Sequence, residues 1–288
     1  MSKAFSSIAE YDNNIVMIVD LLNLSFRWKH AKSFEFTDEF IKVIQSLRKS
    51  YKAKYVILAC DEGSSSYRKS IYPEYKANRA EKYATQTPEE ELEFKLFFEE
   101  FNNTIKVIQE QDLFPVLKFN KVEADDIAAY LVQALPKHFN IEHIWLISSD
   151  KDWNLLVNGT TSQFSYVTRK EITLDNWNDH HDCTPEEYIS IKCLMGDSGD
   201  NIKGVEGIGP KRAHDLVKQY GSALDIYNNL PISSKYKYVQ ALNASEDLII
   251  TNYKLMDLVT FSEEAIGEAN TATINARMSA YLKDIKNV

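Results

Sequence analysis

Residues 195–213 read MGDSGDNIKGVEGIGPKRA, nineteen residues that join two carboxylates to a glycine-rich turn and a basic helix start. Asp197 and Asp200 are three apart, so in a helical turn they fall on one face. Gly204, Gly207 and Gly209 let backbone amides approach a ligand without side-chain obstruction. The pairing suggests a metal beside a nucleic-acid backbone, although the same residue types also make ordinary turns and caps. A Walker A loop is excluded, because Gly209 is followed by Pro210, Lys211 and Arg212 rather than by Lys and then Ser or Thr. A dinucleotide-binding loop is excluded as well, since residues 186–195 read as helix where that motif needs a strand.

Working outward, Ile15–Val19 and Tyr55–Cys60 are apolar runs ending at Asp20 and Asp61, and both read as buried strands. Phe114–Phe119 is a third strand and Ile144–Ile147 a fourth, the latter running into Ser148, Ser149 and Asp150. Helical patterns over 38–50, 89–109 and 123–135 alternate with them, which predicts an α/β fold with a mainly parallel sheet and helices on both faces. Ligands in such sheets bind at the carboxyl ends of the strands, where Asp20, Asp61 and Asp150 fall. Residues 164–167 and 171–174 suggest a late hairpin with no functional signal of its own. Beyond about residue 185 only helical patterns remain, so a domain change is expected between 180 and 190.

The net charge of −9 argues against a nucleic-acid partner, because Lys and Arg supply most non-specific affinity for phosphate. Its distribution points the other way. Tyr67–Tyr83 carries five basic residues against two acidic, and Lys203–Lys218 four against two. Part of the acidity is also of the kind that divalent cations neutralise. The three cysteines, at unrelated spacings, indicate neither a disulfide framework nor a zinc knuckle and fit a reducing cytosol. His180, His181 and Cys183 lack a second cluster to complete a zinc site. The first fourteen residues have no signal-peptide core, and no stretch approaches the ~20 apolar residues that span a bilayer.

Nine acids are candidate metal ligands: Asp20, Asp61, Glu123, Asp125, Asp126, Asp150, Asp152, Asp197 and Asp200. Singly, each has a structural alternative. Glu123, Asp125 and Asp126 open a helix, where the dipole favours acids, and Asp150 or Asp152 could cap a turn. Together they would repel one another unless cations compensate. Hard oxygen donors suit Mg²⁺, with Mn²⁺ able to substitute, better than Zn²⁺. The expected site holds two ions roughly 3.5–4 Å apart that act on a phosphodiester. RKSIYPEYKANRAEKYA, residues 68–84, interleaves basic residues with Tyr72, Tyr75 and Tyr83, a mixture that grips single strands by charge and stacking. A surface helix with snorkelling Lys and Arg would read the same way.

The ordered motifs IVD at Asp20, the acid at Asp61, PEYKANR at 73–79, VEADD at 122–126, SSDKDW at 148–153 and the opening segment resemble the flap endonuclease or structure-specific 5′-nuclease family. The resemblance is to stand-alone phage enzymes and to the N-terminal 5′-nuclease domain of bacterial DNA polymerase I, and it covers nearly the whole chain. It implies a PIN-like nuclease domain over 1–185 with a helical arch about 68–105, then a helical DNA-binding region over 186–288 with a helix-hairpin-helix about 190–221. It implies one metal set from Asp20, Asp61, Glu123, Asp125 and Asp126, and a second completed by Asp150, Asp152, Asp197 and Asp200. Lys76 and Arg79 would be catalytic at the base of the arch, and Tyr75 would stack on a nucleotide. Arg27, Arg68 and Lys82 would contact DNA, as would Gly204, Gly207, Gly209, Lys211 and Arg212, with K⁺ also expected at that hairpin.

The implied activity is Mg²⁺-dependent hydrolysis at a duplex/5′-single-strand junction, leaving a 5′-phosphate and a 3′-hydroxyl. The family resemblance further implies a cytoplasmic monomer, in host cytoplasm if phage-encoded, working in replication beside a polymerase. One departure stands out. The family commonly has Gly after the first-strand Asp, whereas Leu21 and Leu22 follow Asp20.

Overall fold

In the computed structural model, which describes residues 13–286, strand β1 (Ile15–Asp20) runs straight into helix α1 (Leu21–His30). Most of the N-terminal stretch read for a signal peptide lies outside the described residues. The chain continues through α2 (Thr37–Ser50), β2 (Tyr55–Cys60), α3 (Ser66–Ile71), α4 (Ala77–Ala84) and α5 (Pro88–Glu110). Then come β3 (Val116–Lys118), α6 (Ala124–His138), β4 (His143–Ile147), a 3₁₀ turn (Lys151–Leu156), β5 (Thr161–Ser165) and β6 (Lys170–Ile172). The sheet order is β3-β2-β1-β4-β5-β6, parallel throughout except for β6 against β5. From β1 the chain steps outward through β2 to β3, then returns to place β4 on the other side of β1. That reversal opens a crevice at the carboxyl ends of β1 and β4.

Alternation along the strands divides the core. Val16 and Ile18 of β1, with Ile57 and Ala59 of β2, face α6, whereas Met17, Val19, Val56 and Leu58 face α1, α2 and α5. Leu21, the residue in place of the family's glycine, is fully buried in the second of these layers. Burying such a side chain stabilises by about 1.5–3 kcal/mol. Its bulk therefore serves the core. Leu22 is half-buried and packs against the same layer.

The late hairpin forms, but β5 starts at Thr161 and pairs in parallel with β4 before turning back. Its sequence, TSQFS, is buried along its whole length and mostly polar, so no apolar run marks it. The arch is shorter than 68–105. Phe97, Phe101, Ile105 and Ile108 anchor the second half of α5 in the core, and α3 is held in the body through buried Arg68. The part that projects is α4 with the start of α5, tied down at its base by Asn78 and Arg79 and by Lys32 against Glu93, and a capping box of Thr87 and Glu90 with Pro88 in the first helical turn begins the descending helix.

After α7 (Pro185–Met195), which opens on a second such box at Thr184 and Glu187, the short antiparallel pair β7 (Gly196–Asp197) and β8 (Ile202–Lys203) leads to α8 (Pro210–Tyr220). Asp197 and Asp200 thus sit on a tight hairpin turn, not on a helical one. The cause is the glycine pair: a Cβ on Gly204 would lie 2.0 Å from the Met195 carbonyl oxygen, and one on Gly196 2.3 Å from the Gly204 nitrogen. Only two glycines allow that crossing.

Helices α9 (Ala223–Asn228), α10 (Lys237–Asn243) and α11 (Glu246–Met256) pack with α7 and α8 in a core of their own. The last helices do not stay with them. From α12 (Leu258–Ile266) and α13 (Glu268–Tyr281), Leu258, Ile266, Ile274 and Met278 join the layer of the sheet that α6 covers. Tyr281 follows them, its hydroxyl bonded to the Val56 backbone. Part of the 186–288 region therefore belongs by packing to the sheet domain. No helix among the described residues is long and apolar enough to cross a membrane.

Candidate active site

The crevice gathers acids from every element that ends at it. Asp20 closes β1 and caps α1, one oxygen accepting from the Asn23 amide at 3.1 Å and the other from the Ser148 hydroxyl at 2.8 Å. Asp61, just past β2, accepts from the Ala124 amide at 2.8 Å and so caps α6 from another strand. Asp125 accepts from the Trp153 indole at 2.6 Å. Asp150 accepts from the Asp152 amide at 2.9 Å, while Gln163 on β5 donates to the Ser148 and Asp150 carbonyls and steadies that loop.

Burial raises these four and Asp126 alike, but at Asp126 the bidentate Arg68 guanidinium pulls the other way. Burial, then the neighbouring Asp61 charge, pushes Asp20 well above the usual carboxylate range, and burial with Asp150 does the same to Asp125. Asp61 is raised by burial. Asp150, at the exposed lip, is raised by the protein mass behind it and then by Asp152. Four carboxylates that are desolvated and ringed by further acids make a site where the nearby basic groups do not cancel the penalty.

Elsewhere basic side chains supply it. Glu123, 3% exposed, pairs with Lys76 at 2.8 Å and Arg68 at 3.3 Å and accepts from the Tyr75 hydroxyl at 2.8 Å. Burial alone would raise its carboxyl, but Lys76 and Arg68 hold it below the usual range. Lys76 also lies 3.7 Å from Asp200, which Arg79 meets at 2.7 Å. Burial opposes the Lys76 charge, yet Glu123 and Asp200 outweigh it and keep the ammonium protonated. Lys192, in the last turn of α7, bridges Asp152 and Asp197. Sequence reading passed over Lys192; its signal was a basic residue in a helix's last turn just ahead of an acid turn.

Three proposed roles need correction. Arg68 is 4% exposed, so it cannot lie on a DNA-facing surface: its guanidinium bonds both Asp126 oxygens at 2.7 and 2.8 Å, and its Nε donates to the Leu255 carbonyl at 2.8 Å. Asp126, 1% exposed, has both oxygens held by the Arg68 guanidinium, which is itself sealed in the core, whereas Glu123 and Asp200 are also held by Lys76 and Arg79 nearer the surface. The Tyr75 ring is 2% exposed in the core beneath α7 and α8, so it does not stack on a nucleotide, and its hydroxyl reaches Glu123 and Asp200 instead.

The DNA-contact candidates divide. Gly204 is a packing glycine, as described above. Gly207, with φ +75°, and Gly209 are exposed in the turn before α8. Lys211 is exposed in the first turn of α8, whereas Arg212 folds back to donate to the Gly207 carbonyl at 2.6 Å and lies 4.6 Å from the Tyr238 ring centre. Lys82 is exposed on α4. Arg27 is half-buried over the Tyr166 ring at 4.3 Å, with Arg169 on the same ring at 4.1 Å. His181 stacks on Trp177 and meets Tyr188 edge-on, so its ring is spent in aromatic packing, and the Trp177 indole donates to the Cys183 carbonyl.

The donor chemistry fits divalent cations: oxygen ligands only, desolvated, mutually repelling and placed at the crevice of the sheet. Among the described residues no group of three acids already forms a ligand cage; Lys76, Arg79 and Lys192 pair with several of them.

This combination of a parallel sheet, an acid crevice, an arch and a helix-hairpin-helix defines a nuclease of the 5′–3′ exonuclease family, and the chain belongs to that family. Its N-terminal resolvase-like domain model matches residues 15–182 and its C-terminal SAM-fold model residues 183–277. The chain is 42% identical to the flap endonuclease of Escherichia phage T5 over 95% of its own length and 92% of that protein's. It is 30% identical to a 5′–3′ exonuclease of Buchnera aphidicola over 74% of this chain and 69% of that one. A crystal structure of the T5 flap endonuclease in a pseudo-enzyme–product complex with DNA and metal ions matches with TM-score 0.88 and 40% identity, covering 93% of this chain and 99% of that one. T5 5′-exonuclease with divalent zinc ions bound matches with TM-score 0.88 at 41% identity, with the same coverage.

Proposed function

We propose that the protein is a Mg²⁺-dependent flap endonuclease and 5′–3′ exonuclease that hydrolyses one phosphodiester at a junction between duplex DNA and a 5′ single strand, leaving a 5′-phosphate and a 3′-hydroxyl. The observation that carries the reading is the gathering of four carboxylates, Asp20, Asp61, Asp125 and Asp150, at the carboxyl ends of β1, β2 and β4 and the start of α6, each raised first by desolvation and then by nearby acids. Asp20, Asp61 and Asp125 with Glu123 would hold one ion, and Asp150, Asp152, Asp197 and Asp200 the second. Two such ions would supply charge to activate water and to stabilise the leaving oxygen.

The protein's own residues do the rest. Lys76 and Arg79, now paired with Glu123 and Asp200, would turn to the scissile phosphate as cations take over the acids, favouring the charge that develops there. Trp153, Ser148 and Gln163 hold the acids in orientation. Gly207, Gly209 and Lys211, at the N-terminus of α8, would grip the duplex backbone without regard to sequence, with K⁺ accommodated by the turn's carbonyls. Exposed Lys82 on α4 and Arg27 by the β5–β6 hairpin would add phosphate contacts. The reading includes action as a monomer in the cytoplasm beside a replication polymerase.

The test is a labelled 5′-flap DNA and a labelled RNA strand, each incubated with Mg²⁺ and with EDTA. Mg²⁺-dependent cleavage at the flap junction is the expected result. Tight flap binding without a metal-dependent product would make the protein a junction binder, and preferential RNA cleavage would make it a ribonuclease.

A further inference from the structure

The arch base and the acid turn are stitched together by groups that no catalytic role accounts for. The Asn78 amide, in the first turn of α4, donates to the Ser198 carbonyl at 3.0 Å and leans on the Gly199 carbonyl at 3.4 Å. In the opposite sense, the Asn201 amide donates to the Glu74 carbonyl at 2.8 Å. Between these two links the Lys76 backbone amide donates to the Asp200 carbonyl at 2.9 Å. Neither asparagine hydrogen-bonds an acid side chain. Both spans contain a left-handed residue, Lys76 at φ 56° and Asn201 at φ 60°. Asn tolerates that conformation better than most residues.

The turn's shape is set locally, because one Asp197 oxygen accepts from the Gly199 and Asp200 amides at 2.8 and 3.3 Å. Its placement relative to the arch is not. That is set by the Lys76–Asp200 backbone bond, by the Asp200 side-chain pairs with Arg79 and Tyr75, and by the two asparagines, which tie the Ser198–Asn201 backbone to residues 74–78 without touching an acid side chain. We infer that Asn78 and Asn201 form a reciprocal amide clamp that positions Asp197 and Asp200, and that ordering of the arch base and divalent-ion affinity at those acids are thereby coupled. The inference rests on the metal reading proposed above. Linkage makes the coupling mutual: whatever orders the arch base over DNA strengthens cation binding at Asp197 and Asp200, and the reverse.

The orientation of Asn78 gives a sharp discriminant. Two carbonyls face its amide nitrogen, so a donor is required there. Asn78→Asp keeps the size but sets oxygen against oxygen, and should be worse than Asn78→Ala. Asn201→Gly removes the second link while keeping the left-handed backbone accessible.

The experiment measures flap cleavage against Mg²⁺ concentration, Mg²⁺ binding to the DNA-free protein by calorimetry, Tm, and flap affinity in EDTA, for wild type, Asn78→Ala, Asn78→Asp, Asn201→Gly and the Asn78→Ala, Asn201→Gly pair. The expected result is a half-saturating Mg²⁺ concentration raised roughly five- to tenfold per lost link. The calorimetric affinity should fall in step, while kcat at saturating Mg²⁺, Tm and flap affinity stay near wild type. A wild type with no Mg²⁺-dependent cleavage would remove the functional reading itself. Wild-type cleavage with superimposable Mg²⁺ curves for the variants would remove the clamp alone. A loss of equal size at every Mg²⁺ concentration, or Asn78→Asp no worse than Asn78→Ala, would also overturn it.

Discussion

Arg68→Ala separates the two meanings that Arg68 can carry. On the surface of an arch it would be a phosphate contact, and its loss would weaken DNA binding with little effect on stability. In the structure its side chain is 5% exposed and that of Asp126 1%, with two hydrogen bonds between them, one to Glu123 and one to the Leu255 carbonyl. Removing the guanidinium strands the Asp126 carboxylate inside the core. Breaking a buried pair in this way costs about 3–5 kcal/mol, most of it the burden of the charge left behind. For a chain of this size that corresponds to a fall in Tm of roughly 6–20 °C.

Two controls make the origin of the loss visible. Asp126 can shed its charge by taking a proton, so the Arg68→Ala deficit should shrink between pH 7.5 and pH 5.5. Replacing the whole pair by Arg68→Met, Asp126→Leu should recover most of the loss, because apolar groups of similar volume can substitute for a buried ion pair. Thermal melts in EDTA, run with flap-binding isotherms at two salt concentrations, decide the matter. An Arg68→Ala protein that melts within ~2 °C of wild type while losing DNA affinity and salt dependence would refute the buried-strut account.

Three further outcomes follow from the same site. Asp20, Asp61, Asp125 and Asp150 have pKa values raised above their unfolded values, so the metal-free native state binds the extra protons and loses carboxylate-derived stability as pH rises through the raised values. The Tm increment produced by Mg²⁺ over EDTA should therefore grow from pH 5.5 to pH 8; an increment that shrinks over that range contradicts the assignment, and the histidine contributions common to both melts cancel. Asp150→Asn and Asp200→Asn should depress kcat on a 5′-flap substrate far more than flap affinity, whereas Lys211→Ala should weaken affinity with kcat preserved. Asp61→Asn should keep the cap on the Ala124 amide and melt at or above wild type in EDTA, since it removes a charge that burial disfavours, while Asp61→Ala should be less stable than Asp61→Asn by about 0.5–2 kcal/mol; equal melts for the two would show that the cap contributes nothing.

What the sequence made legible was whatever local order or hydropathy encodes. β1, β2 and β4 are apolar because both faces of a parallel sheet are covered, so they stand out from their surroundings. β5 has the same covered position but reads TSQFS, because Gln163 must reach the Ser148 and Asp150 carbonyls; a strand that serves the site loses the apolar signature by which strands are found. Long-range pairing was hidden for a different reason. Nothing near Arg68 in the chain announces that Asp126, fifty-eight residues on, will bury it, and nothing in α12 and α13 says that their apolar faces return to the sheet.

The acids themselves show why a structural and a functional reading competed at the level of sequence: both are true, on different atoms. Asp20 spends one oxygen capping α1, Asp61 caps α6, Asp150 caps the 3₁₀ turn, and Asp197 folds its own hairpin. In each case a backbone amide fixes one oxygen, and that bond orients the carboxylate without neutralising it. The second oxygen is left either without a basic partner or against an ammonium, as Asp197 is against Lys192. A cap is thus how the fold aims a carboxylate into a crevice at little conformational cost. What remains at Asp20, Asp61 and Asp150 is a desolvated, crowded carboxylate with its pKa raised, first by burial and then by neighbouring acids, and a cation would relieve it.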